Sequence, residues 1–205
     1  WDEKTRTGKV EAAELLEHDQ PIDAVRDEVQ LAQRFTQTLE RFLAKHPVAG
    51  HKLCTNLPGI QTLPRWLLLP PIGEKKLDDL VQFEARQQIA VPLEDVVWDY
   101  ACLEPPLEKK GEQRPRRVVF VAAKRHVAQA RLQLWSRCDV QPDILQSDGI
   151  ALHNWLRFEL AGDAAQGFSD ATPNAVTGLL DIGSDVTNLI FSGPQTLWFR
   201  AIGQA

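Results

Sequence analysis

Apolar residues recur with a helical period along one early stretch: Ile22, Val25, Val29, Ala32, Phe35, Leu39, Phe42 and Leu43 share a face, and Pro47 closes the run. Pro21 suits a first helical turn, where its missing amide proton costs nothing, so the spacing predicts one long amphipathic helix from Pro21 to just before Pro47. Two short apolar runs follow. His51 to Leu57 and Leu63 to Leu69 read as strands, closed by Pro58 with Gly59 and by Pro70 with Pro71. Helical spacing returns from Glu74 to Ile89 and stops before Pro92. Val96 to Leu103 then alternates, placing Val96, Trp98, Tyr100 and Cys102 on one face of a strand.

Beyond a charged stretch at 104–117, Arg117 to Ala123, with its apolar run VVFVAA, reads as a buried-type strand. His126 to Cys138 has Val127, Ala130, Leu134 and Cys138 at helical spacing, Asp143 to Gln146 reads as a short strand, and a helix follows through Ala151, Leu152, Trp155, Leu156 and Leu160. A polar loop is expected over 161–175, then a hairpin in LLDIGSDVTNLIF, residues 179–191. The first twenty residues are polar, with a turn at Thr7 and Gly8, and predict strand edges or a mobile end. Segment 104–117, EPPLEKKGEQRPRR, predicts a solvated hairpin loop whose basic residues need no ligand. Mixed strands and helices without a repeat predict an α/β or α+β architecture in two subdomains.

With 43% hydrophobic and 25% charged residues among 205, the chain can bury a core. Its net charge is -5 and its basic residues are scattered, which argues against nucleic acid as a partner. Cys54, Cys102 and Cys138 lie far apart and read as small core residues of a reducing compartment, and the five histidines show no metal-ligand spacing. No run reaches the roughly 20 apolar residues that span a bilayer, so a cytoplasmic protein without direct membrane insertion is expected. There is no methionine and the chain begins at Trp1, which reads as part of a longer protein.

The hairpin carries the candidate chemistry. A strand ending in D-x-G-x-x-x-T offers free backbone N–H groups, a glycine that lets phosphate approach the main chain, and a hydroxyl: Asp181, Gly183, Ser184 and Thr187. Asp181 would repel a phosphate unless a divalent cation stood between them, so an ATP site here implies Mg²⁺ held through water. Gly, Ser and Asp are equally suited to hairpin turns for conformational reasons alone. No second such hairpin, Walker loop or GxGxxG occurs in the chain to grip the other side of a triphosphate.

Four stretches taken together, TNLPG (55–59), LPPIGEKKLDDLVQFEARQQIAVPLEDVVWDY (69–100), VVFVAAKRHV (118–127) and DIGSDVTNLIF (181–191), resemble the PilM family. These are actin-like cytoplasmic ATP-binding proteins of type IV pilus assembly, akin to the cell-division protein FtsA. The resemblance covers about residues 25–205 and implies an α/β fragment of an actin-like ATPase fold. It places 1–60 and 143–162 in subdomain 1A, 61–142 in an inserted subdomain 1C, 163–175 in a linker and 176–205 at the start of subdomain 2A. It makes DIGSDVT the second phosphate hairpin, the first being absent from this chain. It further implies a scaffold, peripheral to the inner membrane, that captures the cytoplasmic tail of a PilN-like membrane protein between 1A and 1C, meets other pilus assembly proteins, and binds ATP with at most slow hydrolysis.

On the helix expected at 74–89, Leu77, Leu80, Val81 and Ala85 form the apolar stripe, and Glu84 and Gln88 fall in its middle. Burying either without a partner would cost roughly 1 to 3 kcal/mol, so each needs one. They either bond backbone at the 1A/1C junction, lining the partner-peptide groove, or bond internal loop backbone near Pro70 to Gly73. The rival functional reading is a phosphotransferase such as a sugar kinase. It requires an acceptor-activating carboxylate and a substrate pocket, and nothing outside the hairpin offers that base.

Overall fold

The computed structural model describes residues 10, 12–18, 27–104, 114–162 and 175–203. The turn expected at Thr7 and Gly8, the start expected at Pro21, and most of the two expected loops lie outside them. The described residues gather into two compact units, one of 1–54 with 130–144, the other of 55–129 with 145–205.

In the first unit, helix α1 spans Glu28–Lys45, and Asp27, in extended conformation, caps it by accepting a hydrogen bond from the Val29 amide. The helix therefore starts at an Asp cap rather than running unbroken from Pro21, and Val29, expected on its apolar face, is exposed. Phe35 and Phe42 sit half-buried against His18 and His46. Lys45 and His46 both reach Glu14, and the Lys45 bond holds that carboxyl below its usual range.

Strand β1 (Cys54–Leu57) pairs with β5 (Ile144–Ser147), and helix α3 (Arg125–Ser136) lies between them in sequence. Strand β1 alternates outward and inward, burying Thr55 and Leu57, so Cys54 is exposed and not the core residue its composition class predicts. Cys102 and Cys138 are half-buried.

The second unit holds two antiparallel three-stranded sheets. The first has β4 (Arg116–Lys124) between β2 (Thr62–Leu69) and β3 (Val96–Cys102). Helix α2 (Leu77–Gln88) covers one face, where Leu77, Val81 and Ala85 meet Leu67, Val96, Val118, Phe120 and Ala122. Val96, Trp98, Tyr100 and Cys102 share that face, as their alternation predicts. The other face carries Val119, Val121 and Trp66, which pack with residues of the second sheet. With both faces covered, β4 is apolar from Val118 to Ala123.

The second sheet runs β6 (Thr177–Ile182), β7 (Val186–Gly193), β8 (Thr196–Gly203), with β7 central. Helix α4 (Asp148–Gly162) packs on it. Gly149 has no room for a side chain: a Cβ there would lie 2.1 Å from the Phe199 ring.

Candidate functional site

Strands β6 and β7 meet in the expected hairpin, with Ile182 opposite Thr187 and Asp181 opposite Asn188. The tip, 181–185, is exposed throughout, while Thr187 is half-buried. The Gly183 amide donates to the Val186 carbonyl at 3.1 Å and closes the turn. A Cβ on residue 183 would stand 2.8 Å from that same oxygen, so the turn itself requires glycine. Ser184 Oγ donates to Asp185 at 2.9 Å, and Asn188 Nδ2 donates to Asp181 Oδ2 at 3.1 Å. The structure thus brings Asp181, Gly183 and Ser184 together at one tip, with Thr187 at its base.

Behind the tip stands a second layer of polar contacts. Asp148, first residue of α4, accepts from Asn56 Nδ2 and from the Gly59 amide, the latter at 3.2 Å. The Gly59 carbonyl accepts from Thr62 Oγ1 at 2.9 Å. Gly59 abuts Asn188 and Ala201 so closely that a Cβ would lie 3.2 Å from Asn188 Oδ1 and 2.7 Å from the Ala201 Cβ. Asn56, Asp148 and Asn188 were not singled out from sequence. For Asn188 the signal was present: residues equidistant from a hairpin turn face each other, which pairs it with Asp181.

The donor set at the tip is oxygen only, two carboxylates and a hydroxyl, which suits Mg²⁺ over softer metals. Among the described residues no group of three His, Cys, Asp or Glu side chains could hold a metal ion. The tip fits an ion completed by water and phosphate oxygens, the usual condition of Mg²⁺, and does not fit a protein-only cage.

Glu84 and Gln88 separate. Glu84 is half-buried on α2, whereas Gln88, at the last turn, is exposed. Its side chain therefore carries no burial penalty, contrary to the expectation from the helical wheel: α2 ends at Gln88, and the chain leaves in extended conformation at Ile89, whose side chain takes the buried place. The Gln88 carbonyl accepts from Arg65 Nε at 3.0 Å.

The ends of the charged stretch 104–117 also depart from expectation. Arg116 is 1% exposed and Glu104 7%, so neither is solvated. Arg116 Nη1 donates to Glu74 at 2.5 Å, and Arg117 donates from Nε and from its backbone amide to Glu104. They are buried because β4 begins at Arg116, opposite Leu69 in the sheet. Burial works against the Arg116 charge, but the bond to Glu74 and the nearby Cys102 sulfur outweigh it, leaving the guanidinium pKa above its ordinary value. These residues border a depression of about 520 Å³ lined also by Leu77, Asp78 and Tyr100. Burial, then the hydrogen bond donated to Asp78, holds the Tyr100 phenol above its usual pKa.

No helix among the described residues is long and apolar enough to cross a membrane. Among curated proteins none matches the chain. Among solved structures it is similar to a PilM-PilN type IV pilus biogenesis complex, at 24% identity and a TM-score of 0.68, over 84% of this chain and 48% of that one. It is similar also to the cytoplasmic domain of EpsL, an inner-membrane component of the type II secretion system of Vibrio cholerae, at 14% identity and a TM-score of 0.51, over 84% and 56%. The chain thus spans about half the length of the solved structures it matches, and its fold is part of an actin-like ATPase fold. The family model for type IV pilus assembly protein PilM matches residues 4–202, nearly the whole sequence. The chain belongs to the PilM family of type IV pilus assembly proteins.

Proposed function

We propose that this chain is part of a cytoplasmic scaffold for type IV pilus assembly, which holds the cytoplasmic tail of a PilN-like inner-membrane protein and so stays next to the membrane through its partner. The observation that carries the reading is the family match across residues 4–202, supported by the likeness of fold to a PilM-PilN complex. In this reading 1–60 and 143–162 correspond to subdomain 1A, 61–142 to the inserted 1C, 163–175 to a linker and 176–205 to the start of 2A. The tail lies along the insert, and Glu84 and Gln88 on α2 are its contacts. The test is titration of a synthetic tail peptide, followed by tryptophan fluorescence or calorimetry, against the wild type and a folded E84A/Q88A variant. Saturable binding weakened severalfold by the pair supports the reading. Binding that is unchanged in the double variant removes those two residues from it, and no binding to the wild type removes the partner.

The same reading gives the Asp181–Thr187 hairpin one side of a Mg²⁺-ATP site, the other side belonging to residues of a longer protein. What supports it is the exposed tip with its oxygen donors and the glycine that its turn demands. Calorimetry of ATP with magnesium against a longer natural chain and its D181A variant decides it. Heat of binding that D181A loses is expected, and silence in the wild type overturns it.

A further inference from the structure

The carboxylate of Asp181 is exposed near the end of β6, one residue before the strand stops at Ile182. One neighbour engages it. Asn188 is 7% exposed, lies directly across the β6–β7 ladder, and donates from Nδ2 to Asp181 Oδ2 at 3.1 Å. Behind its amide packs the Pro58–Gly59 turn, where a Cβ on residue 59 would come within 3.2 Å of Asn188 Oδ1 and 2.7 Å of the Ala201 Cβ. That turn is held by its own bond to Asp148, which also takes the Asn56 amide. A continuous run of contacts therefore leads from the first residue of α4 to the hairpin tip.

Resting on the nucleotide reading above, we infer that Asn188 is the positioning residue that orients Asp181 toward magnesium. A neutral amide is the right chemistry for this. It engages one carboxylate oxygen and leaves the other for the ion's water shell, yet adds no positive charge to compete with the metal, as Lys or Arg would. Partners that orient a metal-facing group in this way typically govern affinity by about 10- to 100-fold.

The test uses a longer natural chain that supplies the other side of the site, in the wild-type form and as N188L, which keeps the approximate shape of the side chain and removes the donor. Three-bond carbon and nitrogen couplings report the χ1 of Asp181 directly, and broadening of the Gly183 amide signal by Mn²⁺, with and without ATP, reports the ion. The expected result is a single Asp181 rotamer in the wild type, an averaged one in N188L, and about tenfold more Mn²⁺ needed in N188L for equal broadening. A single unchanged rotamer in N188L overturns the role of Asn188, whatever the ion does. A fixed rotamer that averages in N188L, with no Mn²⁺ or ATP effect at Gly183 in either form, overturns the nucleotide reading instead. G59A, folded by circular dichroism, gives a second arm: its Cβ crowds the Ala201 Cβ and Asn188 Oδ1 without touching Asp181, and it should disturb the same couplings.

Discussion

The two sheets of the second unit have the same size and sense but different surroundings. Around β4 both faces are covered: Val118, Val119, Phe120 and Ala122 are all at most 2% exposed. Around β7, among the described residues, only the inner face is, where Asn188, Ile190 and Ser192 are buried, while Leu180, Ile182, Phe191 and Ile202 on the outer face are 40 to 71% exposed. Both sheets read as apolar runs, since a run of apolar residues marks a strand without telling how many of its faces are covered. The sheet that is buried twice is the firm platform. The sheet with a bare face bears the hairpin.

Deleting aromatic rings separates the platform from the bare face most strongly. Phe120 is fully buried and stacks on Trp98 at 5.4 Å, so F120A should cost about 3 to 5 kcal/mol in urea denaturation. Phe191 is 40% exposed and meets Trp198 at 5.8 Å, so F191A should cost about 1 kcal/mol or less. Equal losses would mean that the two sheets are not covered differently after all.

The inner face of the second sheet carries a group whose titration should make it sensitive to pH. His153 on α4 shares a hydrogen bond of 2.7 Å with Ser192 of β7, and burial, then the charge of Arg157, lowers its pKa from 6.5 to about 4. Below pH 6.5 the unfolded chain takes up the proton more readily than the folded one, so stability falls as pH drops from 6.5 to about 4 and this group takes no more below that. Water reaches part of the ring and screens the effect, so the loss should stay below about 2 kcal/mol, read as a shift in urea midpoint between pH 7 and pH 4 that H153Q removes. A midpoint shift that persists in H153Q would assign the acid sensitivity to carboxylates elsewhere.

Glu74 tests a buried charge at the platform's edge. The side chain of its partner Arg116 is 2% exposed but that of Glu74 is 52% exposed, so water replaces part of what E74A removes. The expected cost is about 1 to 2 kcal/mol, and R116M in the same background should recover some of it, because the uncompensated guanidinium goes with it.

Much of this architecture is legible in the order of residues. The strand at 117–123, the alternation of Val96, Trp98, Tyr100 and Cys102, and the hairpin at 181–187 all follow from local periodicity, which is a backbone property. What escaped has longer range. Arg116 and Glu104 look solvated amid Pro, Gly and charge, and only the pairing of β2, β4 and β3 buries them. Strand β8 went unread although Leu197, Phe199 and Ala201 alternate after a Gly-Pro turn. At the candidate site the four motif residues are visible as a pattern, whereas Asn56, Gly59 and Asp148 arrive from about 30 to 130 positions away and no spacing rule links them to it.

The smallest effect belongs to the bare face itself. Ile182, Thr187 and Ile202 form one rung across β6, β7 and β8, with the two isoleucines 71% and 49% exposed. Replacing both with Thr retains β-branched side chains and removes apolar surface that already faces water, so the fold should lose no more than about 0.5 kcal/mol. The measurement is again the urea midpoint, taken at several protein concentrations. A loss above about 2 kcal/mol that grows with concentration would mean that in solution a second copy covers this face, and the contrast with the platform would then hold only for the isolated chain. A small loss independent of concentration leaves the face bare, with the hairpin tip standing at its edge.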